Sequence, residues 1–350
     1  MLTRELALFL TAAALSAAAT WFIWRHAVNW GLLDIPNARS SHSHPTPRGG
    51  GLAIVVTVLA ATTIAALLRE LPLLDAAALV GCGGVVAAIG YYDDMKGLSA
   101  LPRFLVHLTA AVISVGVLIG LDSVLAVLSA PLPRWFAFSV LVVGVLWSIN
   151  LFNFMDGIDG IAASQAAFVS TAGAVLIAVL KDPITPWLIL PVVTAGACFG
   201  FLVWNWPPAR IFMGDVGSGF LGFWLAAVAL ALDRAGVLSI WTSTTLGSIF
   251  IADATVTLLR RIARRERWHQ AHRSHAYQNL ARRWSSHRRV TVLLWILNVA
   301  IVFPLAAMSV SAPGFAPQTA VATLCAFGLI ALFAGAGASG GGSVSGRTGV

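Results

Sequence analysis

The chain has 350 residues, 58% of them hydrophobic, with only 22 basic and 14 acidic side chains, so that 10% are charged against roughly a quarter in soluble proteins. Together with a mean hydropathy of +0.85, this excludes a sizeable soluble domain and identifies an integral membrane protein. The net charge of +8 sits between the apolar runs, and 20 of the basic residues are arginine, so it points to anionic lipid and phosphorylated ligands and not to nucleic acid.

Apolar windows fall at 6–24, 51–68, 76–92, 104–121, 135–152, 165–180, 187–204, 219–232, 238–259, 290–309 and 317–335. Runs such as 6–24 and 52–68 are apolar on every face, unlike the alternating strands of a membrane β-barrel. The expected fold is therefore all-α, a polytopic bundle of about ten or eleven transmembrane helices. One domain is expected over 1–336, followed by a flexible Gly/Ser tail over 337–350. Cys82, Cys198 and Cys325 lie far apart inside apolar runs, with no metal or redox spacing, and read as small core residues. Arg4 before the run 6–19 also fits a cleaved signal peptide, although cleavage would invert every loop. Counting loops in order, 17 of the 22 basic residues follow odd-numbered windows or lie in the tail. The positive-inside rule then places those loops in the cytoplasm and the amino terminus outside.

With so few acids, their positions are informative. Asp93 and Asp94 follow the third window in GYYDDMKGLSALPR, Asp156 and Asp159 the fifth in NLFNFMDGIDGIA, and Asp215 the seventh in NWPPARIFMGDVGS. All five are assigned to one side of the membrane. Clustered carboxylates near arginine suit Mg²⁺, a hard cation that keeps open positions for substrate phosphates. Gly157, Gly160, Gly214 and Gly217 alternate with these acids and would let backbone N–H groups approach a phosphate. Arg48, in PTPRGGG before the second window, is placed to hold an anionic group, or a lipid head group. In the basic loop 260–289, His269, His272 and His275 recur every third residue, on one face of any helix. His272 and His275 are read as phosphate- or sugar-binding, with a zinc site as the alternative. Asp253 lies seven residues before Arg260, about 10 Å up the ninth helix, as either a functional intramembrane acid or an ion-pair partner.

These motifs, PTPRGGG at 45–51, YYDD at 91–94, NLFNFMDGIDGIA at 150–162, NWPPARIFMGDVGS at 205–218 and HRSH at 272–275, resemble in order those of the polyprenyl-phosphate N-acetylhexosamine-1-phosphate transferases. That superfamily includes phospho-N-acetylmuramoyl-pentapeptide transferase. The resemblance covers nearly the whole chain. It implies transfer of a sugar 1-phosphate from a UDP-sugar to undecaprenyl phosphate, with release of UMP, at the cytoplasmic face of a bacterial inner membrane. Asp215 matches the magnesium-binding aspartate, Asp93 and Asp94 the paired acids that position substrate or metal, and Asn153, Asp156 and Asp159 the nucleotide-side motif; Asp93, Asp94, Asp156 and Asp159 are the expected catalytic residues, in direct displacement or, with Asp156 or Asp159 as nucleophile, through an aspartyl-phosphate. Phe212 falls where the family stacks an aromatic on uracil, Asn205 belongs to the same substrate-binding motif, and His272 and His275 match the motif near the donor diphosphate and sugar. Pro102, Arg103 and His107 depart from the family, many of whose members carry Lys and Gln at the last two positions. The form HRSHAYQ looks most like the O-antigen-initiating branch.

Two other classes fit the sequence less well. A CDP-alcohol phosphatidyltransferase requires D-G-x-x-A-R, whereas Asp159 begins D-G-I-A-A-S. An ion-coupled transporter could use Asp122 and Asp253, but it needs binding groups at mid-membrane and broken helices. Membrane lipids are expected partners, and the oligomeric state, a homodimer included, is left open.

Overall fold

The structure, a computed structural model, describes residues 2–36, 44–128, 132–180, 185–266 and 273–338. The helices are α1 (Leu2–His26), α2 (Gly51–Leu67), α3 (Leu73–Lys96), α4 (Ala100–Leu118), α5 (Gly120–Leu128), α6 (Arg134–Met155), α7 (Ile161–Leu180), α8 (Ile189–Asn205), α9 (Asp215–Arg234) and α10 (Ile240–Leu246). After them come α11 (Ser248–Ala263), α12 (Ala276–Trp284), α13 (His287–Leu297), α14 (Phe303–Ser311) and α15 (Ala316–Phe333). One departure from an all-helical chain is a two-residue antiparallel pair, β1 (Leu33–Asp34) with β2 (Thr46–Pro47), in register Leu33 opposite Pro47.

Among the described residues, nine helical stretches are long and apolar enough to cross a membrane. All eleven apolar windows fall on helix, and two miss that criterion for local reasons. α2 has 17 residues. The window 238–259 breaks at Gly247 into α10 and α11, where Gln165 Nε2 reaches into the helical ladder and donates to Leu246 O at 3.0 Å. α13 and α14 are continuous through a π turn, Asn298–Val302, just ahead of Pro304, whose missing N–H cannot close an α turn.

In lipid, apolar burial gives little drive to helix association, so close van der Waals fit has to supply it. α9 is the centre, packed between α3 and α6 with α2 and α4 alongside, and it buries Phe220, Phe223 and Trp224 completely. Small residues permit the approach: a Cβ added at Gly51 would fall 2.4 Å from Gly217 Cα, which joins the first turns of α2 and α9. α1 lies along α8, with Ser16 Oγ donating to Ala197 O at 2.7 Å. Leu6, Leu10 and Leu15 of α1 and Val321, Leu329 and Phe333 of α15 stay exposed, as lipid-facing residues must. Cys82 and Cys198 are buried as expected, whereas Cys325 is exposed on α15. At the end of α9 away from Asp215, Arg234 pairs with the buried Asp75 of α3.

Candidate active site

The segment PTPRGGG is fixed to the loop before α9 by main-chain bonds. Phe212 N donates to Pro47 O at 2.8 Å, Gly50 N to Phe212 O at 3.0 Å and Gly51 N to Met213 O at 2.9 Å. Phe212 is thereby held by its backbone on both sides, with its ring partly exposed.

The paired acids at the end of α3 do different things. Asp94 is 4% exposed, and its two carboxylate oxygens accept Asp215 N and Val216 N, each at 3.1 Å. Gly214, the residue before α9, has no side chain to cap the helix, so Asp94 supplies the missing acceptor from another helix, where the helix dipole favours negative charge. Arg48 turns onto the same group. Its Nη2 donates to Asp94 O, and its Nη1 lies 4.0 Å from the carboxylate. Arg48 Nε is buried and makes no hydrogen bond. Asp93 instead accepts Leu98 N and pairs with Arg103, whose Nη1 also reaches Asp215 Oδ2 at 3.1 Å. Asp215 keeps 39% of its side chain exposed and is the accessible member of the group.

The loop after α6 is joined to the loop after α8. Asn205 is buried: its Oδ1 accepts Gly160 N at 3.0 Å and its Nδ2 donates to Ile211 O at 2.8 Å, so both ends of the amide hold main chain. Asp159 Oδ2 accepts Ala209 N at 3.1 Å. Asn153 Oδ1 accepts Ser218 Oγ at 2.7 Å, tying α6 to the first turn of α9. Asp156 ends α6. Its depth in the site, and then repulsion from Asp215, Asp94 and Asp159, push its carboxyl well above the usual carboxylate range.

His275 precedes α12 and is buried, its Nδ1 3.4 Å from Asp253 Oδ1. Asp253 accepts Ala276 N at 2.9 Å, Tyr277 N at 3.1 Å and Thr257 Oγ1 at 3.1 Å. This acid of α11 therefore caps the start of α12, as Asp94 caps α9, and lies beside His275. Tyr277 Oη donates to Phe154 O at 2.9 Å, and burial followed by repulsion from Asp253 and Asp156 raises its phenol. His272 and His269 lie outside the described residues, as does the side chain of Asp122.

Two residues outside the expected set join it. Arg103 bridges Asp93 and Asp215, a role its place among the departures from the family pattern hints at without revealing the partners. His287 Nδ1 lies 3.3 Å from Asp159 Oδ2, in a cavity of about 660 Å³ lined also by Pro207, Arg273, Gln278 and Arg282. No signal along the chain announces the contact of His287 with a loop 128 positions earlier. The four loop glycines face protein and not an open anion site. Cβ atoms there would meet Tyr277 at Gly157, Pro207 at Gly160, Asp94 at Gly214 and Gly51 at Gly217.

Residues 76–233 match the model of glycosyl transferase family 4. The chain is 32% identical, over 355 aligned positions covering 91% of it and 85% of the relative, to the decaprenyl-phosphate N-acetylglucosaminephosphotransferase of Mycolicibacterium smegmatis. The chain belongs to this family, the polyprenyl-phosphate N-acetylhexosamine-1-phosphate transferases. It is also 30% identical to a probable undecaprenyl-phosphate N-acetylglucosaminyl 1-phosphate transferase of Bacillus subtilis, over 80% of the chain and 78% of the relative. To the phospho-N-acetylmuramoyl-pentapeptide-transferase of Mycobacterium leprae it is 33% identical, over 62% of the chain and 71% of the relative. Four of the five family motifs meet at one end of the bundle through the bonds above, and the described part of the fifth joins them through Tyr277.

Asp215 and Asp93 are the residues that could hold a magnesium ion, shared with substrate phosphates. Among the described residues no three acidic, histidine or cysteine side chains could hold a metal by themselves. Asp215, open and beside Asp93, offers the one or two carboxylates that Mg²⁺ takes when substrate phosphates complete its shell.

Proposed function

We propose that this transferase moves the sugar 1-phosphate of a UDP-linked N-acetylated hexosamine or deoxyhexosamine onto undecaprenyl phosphate at the cytoplasmic face of a bacterial inner membrane. The observation that carries this reading is the convergence of the exposed Asp215 with Asp93 and Arg103, on loops tied together by Asp94, Asn205 and Asp159. The names of the relatives support the acceptor class and the N-acetylated sugar.

An oxygen of the lipid phosphate attacks the donor's β-phosphorus. The bond from that phosphorus to the oxygen bridging to the α-phosphorus breaks, and UMP leaves with the bridging oxygen. A phosphomonoester is already largely dianionic at neutral pH, its second pKa lying near 6, so the acceptor needs alignment and charge neutralisation more than a strong base. Arg48 and Arg103 supply fixed positive charge on either side of the paired acids. Mg²⁺ on Asp215 would neutralise the donor diphosphate and the charge developing on UMP. Phe212 offers a partly exposed face for the uracil, and Asp156 and Asp159 line the nucleotide side. His275 acts from beneath, through Asp253 and the start of α12, and His272 is assigned to the donor sugar and diphosphate.

Mass spectrometry of lipid products from undecaprenyl phosphate and a panel of UDP-N-acetylated sugars tests this directly, and the product mass also decides the O-antigen branch. Lipid-linked sugar diphosphate with stoichiometric UMP is expected. UDP-sugar movement across vesicles without UMP release would favour a transporter.

A further inference from the structure

After α15 the chain turns through 334–337 in a seat built by three other segments. Asn279 Nδ2 of α12 donates to Gly335 O at 2.7 Å, and Arg260 of α11 and Arg264, just past its end, donate to Ala336 O at 2.6 Å and Gly337 O at 2.7 Å. Gly337 N donates to Ser274 O at 2.6 Å, so the turn is bonded to the segment that carries His275. Ala336 is wholly buried and forms, with Ala331 and Ala276, a small apolar cluster apart from the main core. The fit requires glycine. Gly337 has φ +66°, and a Cβ there would lie 2.8 Å from Arg260 Cβ and 3.1 Å from Thr257 O.

The turn holds the segment 273–284. α12 has nine residues, too few for a helix to persist by itself, so its position depends on what grips it. Asp253 grips its start, and the C-terminal turn grips its outer side through Asn279 and Ser274. Its inner side meets the acidic loop at Gly157, where an added Cβ would be 2.2 Å from Tyr277 Oη. The same segment contributes Arg273, Gln278 and Arg282 to the cavity walled by Asp159 and His287. A shift of α12 therefore moves basic groups relative to the loop that carries Asp156 and Asp159.

We infer that Gly337, Asn279, Arg260 and Arg264 are positioning residues for the donor site. They hold 273–284 in register against the loop 156–159 and thereby set affinity for the sugar nucleotide, without touching it. This inference rests on the reading of that loop as the nucleotide side.

The test uses the full chain in lipid nanodiscs carrying Gly337→Val or, as the milder variant, Asn279→Ala. Donor KM should rise about tenfold for Gly337→Val, with kcat and acceptor KM changed less than about twofold. Amide exchange should accelerate over 274–284 and stay unchanged in α3 and α9. A stop after Ala338 should leave donor KM as in the full chain, and a stop after Phe333 should reproduce Gly337→Val. Should Gly337→Val fail to fold, Asn279→Ala carries the test. Wild-type donor KM together with wild-type protection of 274–284 in the folded variants would overturn the inference. If the wild-type protein transfers no sugar phosphate from any UDP-sugar, the functional reading fails instead, and unchanged exchange in the variants then overturns the clamp on its own.

Discussion

Replacing Asp94 by Asn separates a residue that builds the site from one that works in it. The buried carboxylate of Asp94 accepts Asp215 N and Val216 N at 3.1 Å and lies beside Arg48. The amide keeps one acceptor oxygen and turns an NH₂ group toward the second backbone donor. Losing one charge-assisted hydrogen bond costs about 1.5–3 kcal/mol, and losing the negative charge at the α9 N-terminus adds about 0.3–1 kcal/mol. With Asp94 almost fully buried, little is recovered from water, so roughly 2–4 kcal/mol is expected, or a denaturation midpoint lower by about 5 °C or more. Asp215 begins the helix that this cap secures, so turnover should fall as well. Asp215→Asn should instead abolish turnover with a much smaller change of midpoint, because its partly exposed carboxylate pairs with Arg103 and hydrogen-bonds Asp93 and caps no helix. Thermal unfolding followed by intrinsic fluorescence, beside UMP release, reads both quantities. An Asp94→Asn protein as stable as wild type yet inactive would refute the capping argument and return Asp94 to direct contact with substrate or metal.

Asp253→Ala removes the carboxylate oxygens that accept two backbone N–H groups of α12 and should destabilise the protein by about 2–3 kcal/mol while raising donor KM; unchanged exchange over 274–284 would contradict this. Arg103→Gln frees Asp93 and Asp215 from their shared cation, so Mn²⁺, used as a paramagnetic stand-in for Mg²⁺, should bind the substrate-free protein more tightly while lipid phosphate binds less well; weaker Mn²⁺ relaxation enhancement would argue against it. Because burial pushes the Asp156 carboxyl above its ordinary range, the native protein binds a proton there more tightly than the unfolded chain does. Its contribution to stability therefore falls as pH rises through that raised value, while divalent-metal affinity grows, which isothermal titration in buffers of different ionisation enthalpy would show as proton release. In a cysteine-free background, Cys at Ser285 should be labelled from the cytoplasm and Cys at Ala235 from outside; the opposite pattern would invert the topology.

Hydropathy was enough to read the bundle, because lipid forces each crossing segment to satisfy its own backbone within one continuous apolar run, a property written locally in the chain. The same locality made the five motif segments legible as clusters of acid, glycine and arginine. It could not show which acids face ligand. Asp94 and Asp253 look like Asp93 and Asp215 in sequence, yet the first two spend their carboxylates on the N-termini of α9 and α12, and only the docking of those helices supplies the donors. Asn205 likewise spends its amide on Gly160 and Ile211. Arg103, beside Asp93 near it in the chain, also reaches the carboxylate of Asp215, 112 positions away, and His287 that of Asp159, 128 positions away. A carboxylate's role is set by whichever donor lies within hydrogen-bond reach, a distance that helix packing fixes and that no spacing along the chain contains.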